Sequence, residues 1–254
     1  MGAWLLCALR GAVESRGGGV SCEEIDPEAL RRWGRLGAEL HTTSGVHRPS
    51  AFSAFLAAAI ARDAGGAGSP PPLDGRLVID AGCGAGLMTI AALEGGAARV
   101  IAQDRDPAAL QAAEANVLTH AGTDGGRRVT YAESDWTELG ALGGDLLVVN
   151  PPQRPARLIE ATPTGERHLH DTAGEDGTEA LRAVLRHAAS AQVVSTMSSL
   201  IDGDPTQVGG ARYEHVGPIA RARVEHSEAW SSIAGHRTAW VYAQRWTRRA
   251  VTRT

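Results

Sequence analysis

Two short stretches carry residue types whose order could do chemistry. The first runs from Leu77 to Leu93, LVIDAGCGAGLMTIAAL. An apolar run ends at Asp80, then Gly82, Gly84 and Gly86 follow, and a helical pattern begins at Leu87. Strand, glycine turn and helix in that order build a pocket for a nucleotide-like ligand. The glycines let the backbone approach closely, and the helix N-terminus offers unpaired N–H groups. The second stretch is Val148-Val149-Asn150-Pro151-Pro152-Gln153. It sets an amide side chain at a strand end, on a turn that two prolines make rigid, so the Asn150 side-chain oxygen and the Pro151 carbonyl become two fixed acceptors.

The glycine spacing separates two cofactor classes. Dinucleotide enzymes use GxGxxG with an acidic residue about twenty positions on. Here the order is Gly82-x-Gly84-x-Gly86, and Leu87 stands where the third dinucleotide glycine would be. A GxGxG loop directly after Asp80 resembles the first motif of class I S-adenosylmethionine-dependent methyltransferases. The resemblance implies that Asp80, Gly82, Cys83, Gly84 and Gly86 seat the methionine end of S-adenosyl-L-methionine. It also implies that Asp104, with Arg105 beside it, accepts from the ribose hydroxyls, and that Asp135 and Trp136 hold the adenine. Read singly, Asp104 is also a plausible turn residue, Asp135 a cap and Trp136 a core side chain. Their ordered recurrence after three successive strands favours the shared site.

Asn150-Pro151-Pro152 is similar to the NPPY-type fourth motif of amino-group and amide methyltransferases. An amide or exocyclic amine nitrogen is delocalised and a poor nucleophile. Two acceptors, one for each N–H, pull it toward tetrahedral geometry and aim its lone pair at the methyl group. The fourth position of that motif is usually aromatic and stacks on a planar target; here it is Gln153, which cannot stack but can hydrogen-bond. Gly174-Glu175-Asp176-Gly177 and Gly45-Val46-His47-Arg48-Pro49-Ser50 resemble the release-factor glutamine methyltransferase group, so His47, Pro49 and Gln153 are expected near the acceptor. The resemblance covers residues 45 to 197. Asn150, Pro151, Pro152 and Gln153 are the expected catalytic set, with Asn150 also expected among the cofactor-binding residues.

These residues need a scaffold, and the hydropathy pattern supplies one. Strands are expected at 77–79, 99–103, 129–132, 146–149, 192–196, 219–225 and 237–244. Helices are expected at 27–40, around Phe52 to Ile60, after Asp106-Pro107, and at 178–189. Asp26-Pro27 and Asp106-Pro107 are N-cap and first-turn pairs. The alternation predicts an α/β protein with a doubly wound, mostly parallel, seven-stranded Rossmann-like methyltransferase sheet. A short helical N-terminal extension (residues 1–64, the first 20 or so mobile) would precede a cofactor-binding domain at 74–247.

Length and charge narrow the acceptor. The 254 residues can bury a full core, and a net charge of −4 argues against a general nucleic-acid binder. Three cysteines without CxxC spacing, and no His/Cys/carboxylate set, predict neither disulfides nor a metal site. His41, His47, His168 and His170 fall in loops, where a proton acceptor would serve a charged amine, although solvated polar groups is the simpler reading. Arg245, Arg248, Arg249 and Arg253 read as a basic tail. The apolar run Trp4 to Leu9 is too short to span a bilayer, so a cytoplasmic protein is expected. The sequence reading favours N-methylation of a small metabolite. A protein glutamine or a nucleic-acid adenine is the alternative acceptor, and a NAD-dependent oxidoreductase or a non-catalytic partner is the more distant reading.

Overall fold

The computed structural model describes residues 22–61, 73–160, 174–201, 203–225, 231, 235 and 238–250. His168, His170 and Arg253, and the opening residues expected to be mobile, lie outside that set. The helices are α1 (Pro27–Glu39), α2 (Ala51–Ile60), α3 (Leu87–Glu94), α4 (Pro107–Gly126), α5 (Leu139–Leu142), α6 (Ala156–Glu160), α7 (Glu179–His187) and α8 (Pro205–Val208). The strands are β1 (Glu23–Glu24), β2 (Leu77–Ala81), β3 (Arg99–Asp104), β4 (Val129–Glu133), β5 (Leu146–Val149), β6 (Gln192–Ser198), β7 (Tyr213–Glu225) and β8 (Thr238–Arg248).

The local signals act where they stand. Asp26 accepts from Glu28 N at 3.0 Å and opens α1, and Asp106 accepts from Ala108 N at 2.9 Å and opens α4. Each is followed by proline at the first helical position. Ser50 and Ser53 form a reciprocal cap at the start of α2.

One sheet organises the chain in the order β1-β7-β8-β6-β5-β2-β3-β4. Among the described residues it has eight strands, not seven, because Glu23–Glu24 adds a two-residue strand parallel to β7. Only β8 runs antiparallel to its neighbours, β6 and β7. Successive central-strand residues point to opposite layers. Val78, Val100, Leu146, Val148 and Val194 join Trp33, Phe55, Leu56, Ile60 and Ile90 on one side. Ile79, Ala81, Leu147, Val149 and Val193 join Leu181, Val184, Leu185, Tyr213 and Trp246 on the other. The first cluster contains α1 and α2, so the N-terminal helices share the core of the sheet they precede. The expected basic tail is not one: Arg245 and Arg248 lie inside β8. No helix among the described residues is long and apolar enough to cross a membrane.

Candidate active site

The C-terminal tips of β2, β3, β4 and β5 surround a cavity of about 630 Å³. Such a crevice beyond the carboxyl ends of parallel strands is where open α/β sheets bind ligands.

On the β2 side the chain turns through Gly82, Gly84 and Gly86, all with positive φ. The N–H groups of Gly82 and Cys83 both donate to Gln103 O at 2.8 Å, and Gly84 N donates to Asp104 Oδ2 at 2.9 Å. No atom lies within 4 Å of where a Cβ on Gly84 would stand, so bare backbone borders open space. Gly82, Cys83 and Gly84 line the cavity. Gly86 does not: a Cβ there would lie 3.0 Å from Ala113 Cα, so its role is close packing of α3 on α4.

Asp80 also lines the cavity, and it is buried. It accepts from the Thr89 hydroxyl at 2.6 Å. Burial, with the Thr89 hydrogen bond opposing and the Asp104 charge adding to it, pushes its carboxyl up to about 7. Burial likewise pushes the Cys83 thiol well above its usual range.

Asp104 stands at the tip of β3, with Oδ2 on Gly84 N and Oδ1 accepting from Asp106 N at 3.0 Å. An ionised carboxylate offers about four lone-pair directions, so capacity for two ribose hydroxyls remains. Arg105 is exposed at the same rim. After β4, Asp135 accepts from Thr137 N at 3.1 Å and caps a single 3₁₀ turn. The capping reading of Asp135 is therefore real, and it coexists with a place on the cavity wall. Trp136 also lines the wall, its ring 3.5 Å from where a Gly82 Cβ would be.

On the β5 side the wall contains Asn150, Pro151, Pro152 and Gln153. Asn150 Nδ2 donates to Ser53 Oγ at 3.0 Å, and its Oδ1 accepts from Thr196 Oγ1 at 2.6 Å. Gln153 Nε2 also donates to that oxygen, at a long 3.4 Å, so the second lone pair of Oδ1 is only weakly engaged. The expectation that the Gln153 amide faces the acceptor needs correcting. Gln153 is 8% exposed; its Nε2 donates to Thr196 Oγ1 and its Oε1 accepts from Ser198 N at 3.1 Å. Both ends of the amide are held by the protein.

His47 and Pro49 reach the cavity from the loop before α2, and His41 is not among its lining residues. Gly174 to Gly177 form a structural turn. Asp176 Oδ1 accepts from Thr178 N at 2.9 Å and its Oδ2 accepts from Arg182 Nη2 at 3.2 Å; partial burial raises its carboxyl, and the bonds to Thr178 and Arg182 together outweigh that and hold it below the ordinary value.

Sequence reasoning missed Gln103, Asn116, Thr196 and Ser53. Asn116 is buried and accepts from His41 N while donating to His41 O and Ala85 O, each at 2.9 Å. It thereby ties the N-terminal segment to the glycine loop. Only the general rule that a buried amide needs partners could have flagged these residues.

The strand order and the placement of the cavity define the class I methyltransferase fold. A solved structure from Pyrococcus horikoshii, provisionally named an RNA methyltransferase, superposes with a TM-score of 0.53 at 16% identity, covering 88% of this chain and 100% of its own. Within the chain, residues 72–150 match the family model described as Ribosomal protein L11 methyltransferase (PrmA). A Ribosomal protein L11 methyltransferase of Yersinia pseudotuberculosis is 39% identical over 101 residues, which is 38% of this chain and 33% of the relative. One from Pectobacterium carotovorum is 38% identical over 101 residues, with the same coverage of 38% and 33%. The chain thus matches about a third of the length of these relatives. The family match spans the glycine turn, Asp104 and Asp135 and ends at Asn150, leaving Pro151, Pro152 and Gln153 outside it.

Proposed function

We propose that this chain is an S-adenosylmethionine-dependent methyltransferase that places a methyl group on a nitrogen of a protein. The observation that carries the reading is a single cavity joining the glycine turn, the strand-tip residues Asp104 and Asp135, and the Asn-Pro-Pro turn.

The residues present fit the cofactor. Bare backbone at Gly84 would admit its close approach, Asp104 would accept from the ribose, and Asp135 with Trp136 would hold the adenine. Asp104 makes this end of the cavity favourable for a cation. When bound, S-adenosylmethionine supplies a methyl group on a sulfonium, already an excellent leaving group. The remaining work is positioning. The second lone pair of Asn150 Oδ1 and the Pro151 carbonyl take the N–H groups of the acceptor and direct its lone pair toward the methyl carbon. Pro151 and Pro152 hold the turn rigid while this happens.

The relatives support a choice of acceptor class. The sequence alone favoured a small metabolite. The curated relatives are named for a ribosomal protein, and this moves the preferred acceptor to a protein. The net charge of −4 suits a basic protein better than RNA. The test is transfer of labelled methyl from S-adenosylmethionine to the separated protein, RNA and small-molecule fractions of a cell extract. Label in the protein fraction, abolished by Asn150→Ala, is the expected result. Label confined to RNA, falling steeply with salt, would reassign the acceptor.

A further inference from the structure

We propose that Gln153 and Thr196 are positioning residues for this transfer, fixing which end of the Asn150 amide meets the acceptor. The proposal rests on the N-methyltransferase reading above.

One atom beside Gln153 has a role that cannot be reversed. The Ser198 backbone N–H can only donate, and it lies 3.1 Å from the Gln153 side chain. The Gln153 atom there is therefore oxygen, and its NH₂ points the other way, onto Thr196 Oγ1. A hydroxyl that receives an N–H gives its own proton elsewhere. Here the partner, at 2.6 Å, is the Asn150 amide, and because the Gln153 NH₂ also lies 3.4 Å from the same amide atom, that atom is Oδ1 and not another donor. Its Nδ2 is then left to donate to Ser53 Oγ, 3.0 Å away. A lone asparagine amide fits either way round; this one is set by a relay that begins at the β6 backbone. Gln153 is 8% exposed and Thr196 1%, so little water competes with the relay.

The orientation matters because the two ends of the amide do opposite things. Oδ1 receives an acceptor N–H, whereas Nδ2 in its place would set donor against donor. The side chain that would stack on a planar target in the aromatic version of the motif is here turned into the wall. It orients Asn150 instead of touching the acceptor.

Gln153→Glu tests the relay with almost no change in shape. Ser198 N–H still finds an oxygen, but the second carboxylate oxygen can only accept. The Thr196 proton is diverted to it, and the Asn150 amide turns over to donate to Thr196. Protonating the introduced carboxyl restores a donor and with it the native polarity. The expected result at pH 8 is a kcat lower by about tenfold or more, with KM for S-adenosylmethionine unchanged. Activity then recovers relative to wild type as the pH falls toward 6. Thr196→Ser retains activity and Thr196→Val loses it, which covers the case of a Gln153→Glu chain that does not fold. A second readout needs no acceptor: the ¹H–¹⁵N side-chain amide signals of Asn150 should move further with pH in Gln153→Glu than in wild type, where only the Asp80 titration is felt. Unchanged kinetics in both Gln153→Glu and Thr196→Val, or Asn150 signals identical to wild type at pH 8, would overturn the proposal. A wild-type chain that binds no S-adenosylmethionine would instead remove the underlying reading, and the Asn150 signals would still decide the relay.

Discussion

Ser53 and Asn150 lie 97 residues apart in sequence and meet at 3.0 Å, with Asn150 Nδ2 donating to Ser53 Oγ. One belongs to α2, the other to the turn after β5. The start of α2 and the loop before it therefore form one wall of the cavity and hold one end of the amide on which the proposed chemistry depends.

Ser53→Ala should lower kcat by about three- to tenfold, the loss expected for one modest hydrogen bond, with KM for the cofactor unchanged. It should also cost about 1 kcal/mol of stability, because the same hydroxyl takes part in the reciprocal cap with Ser50. Steady-state kinetics beside a thermal melt separates the two effects.

Asp104 holds the glycine loop with Oδ2 and the start of the next helix with Oδ1. Asp104→Asn turns one of those acceptors into a donor facing a backbone N–H. Calorimetry should show S-adenosylhomocysteine bound about 10- to 100-fold more weakly, the range for a charge-assisted bond of about 1.5–3 kcal/mol. Equal affinity would remove Asp104 from the ribose site.

Asp80 gives a pH dependence with a definite sign. Its carboxyl sits near 7 in the fold against a reference value of 3.8, so the folded state holds a proton that the unfolded chain has already lost. Its contribution to stability is complete below about pH 4, declines as the pH rises, and is gone above about pH 7. Asp80→Asn keeps an acceptor for Thr89 and cannot ionise. Chemical denaturation from pH 4 to 8 should therefore show the variant gaining on wild type as the pH rises. A constant difference would mean that Asp80 is ionised throughout.

Some of this was legible in the sequence because certain residues act through their own backbone. Asp26-Pro27 and Asp106-Pro107 cap helices wherever they fall, and three glycines after a strand bend the chain in any fold of this kind. β7 was harder to see. It begins at Tyr213, six residues before the expected start, and takes in Gly217 and Pro218, residue types that weaken a strand interior. They are taken up in register shifts between His215 and Gly217 and between Pro218 and Ala220. Asn116, Gln103, Thr196 and Ser53 were silent because their roles arise only when distant segments meet. Gln153 was located correctly in the motif and oriented wrongly. Nothing in its neighbours in sequence shows that Ser198 N–H will claim its oxygen.

The central claim is that this cavity binds S-adenosylmethionine and that Asn150 acts on the acceptor, not on the cofactor. Calorimetric titration of wild type and Asn150→Ala with S-adenosylmethionine and S-adenosylhomocysteine tests it most directly. The account predicts one site per chain in both proteins, with affinities that agree within about threefold, while only wild type transfers methyl. Folded wild-type protein that takes up neither compound would contradict it.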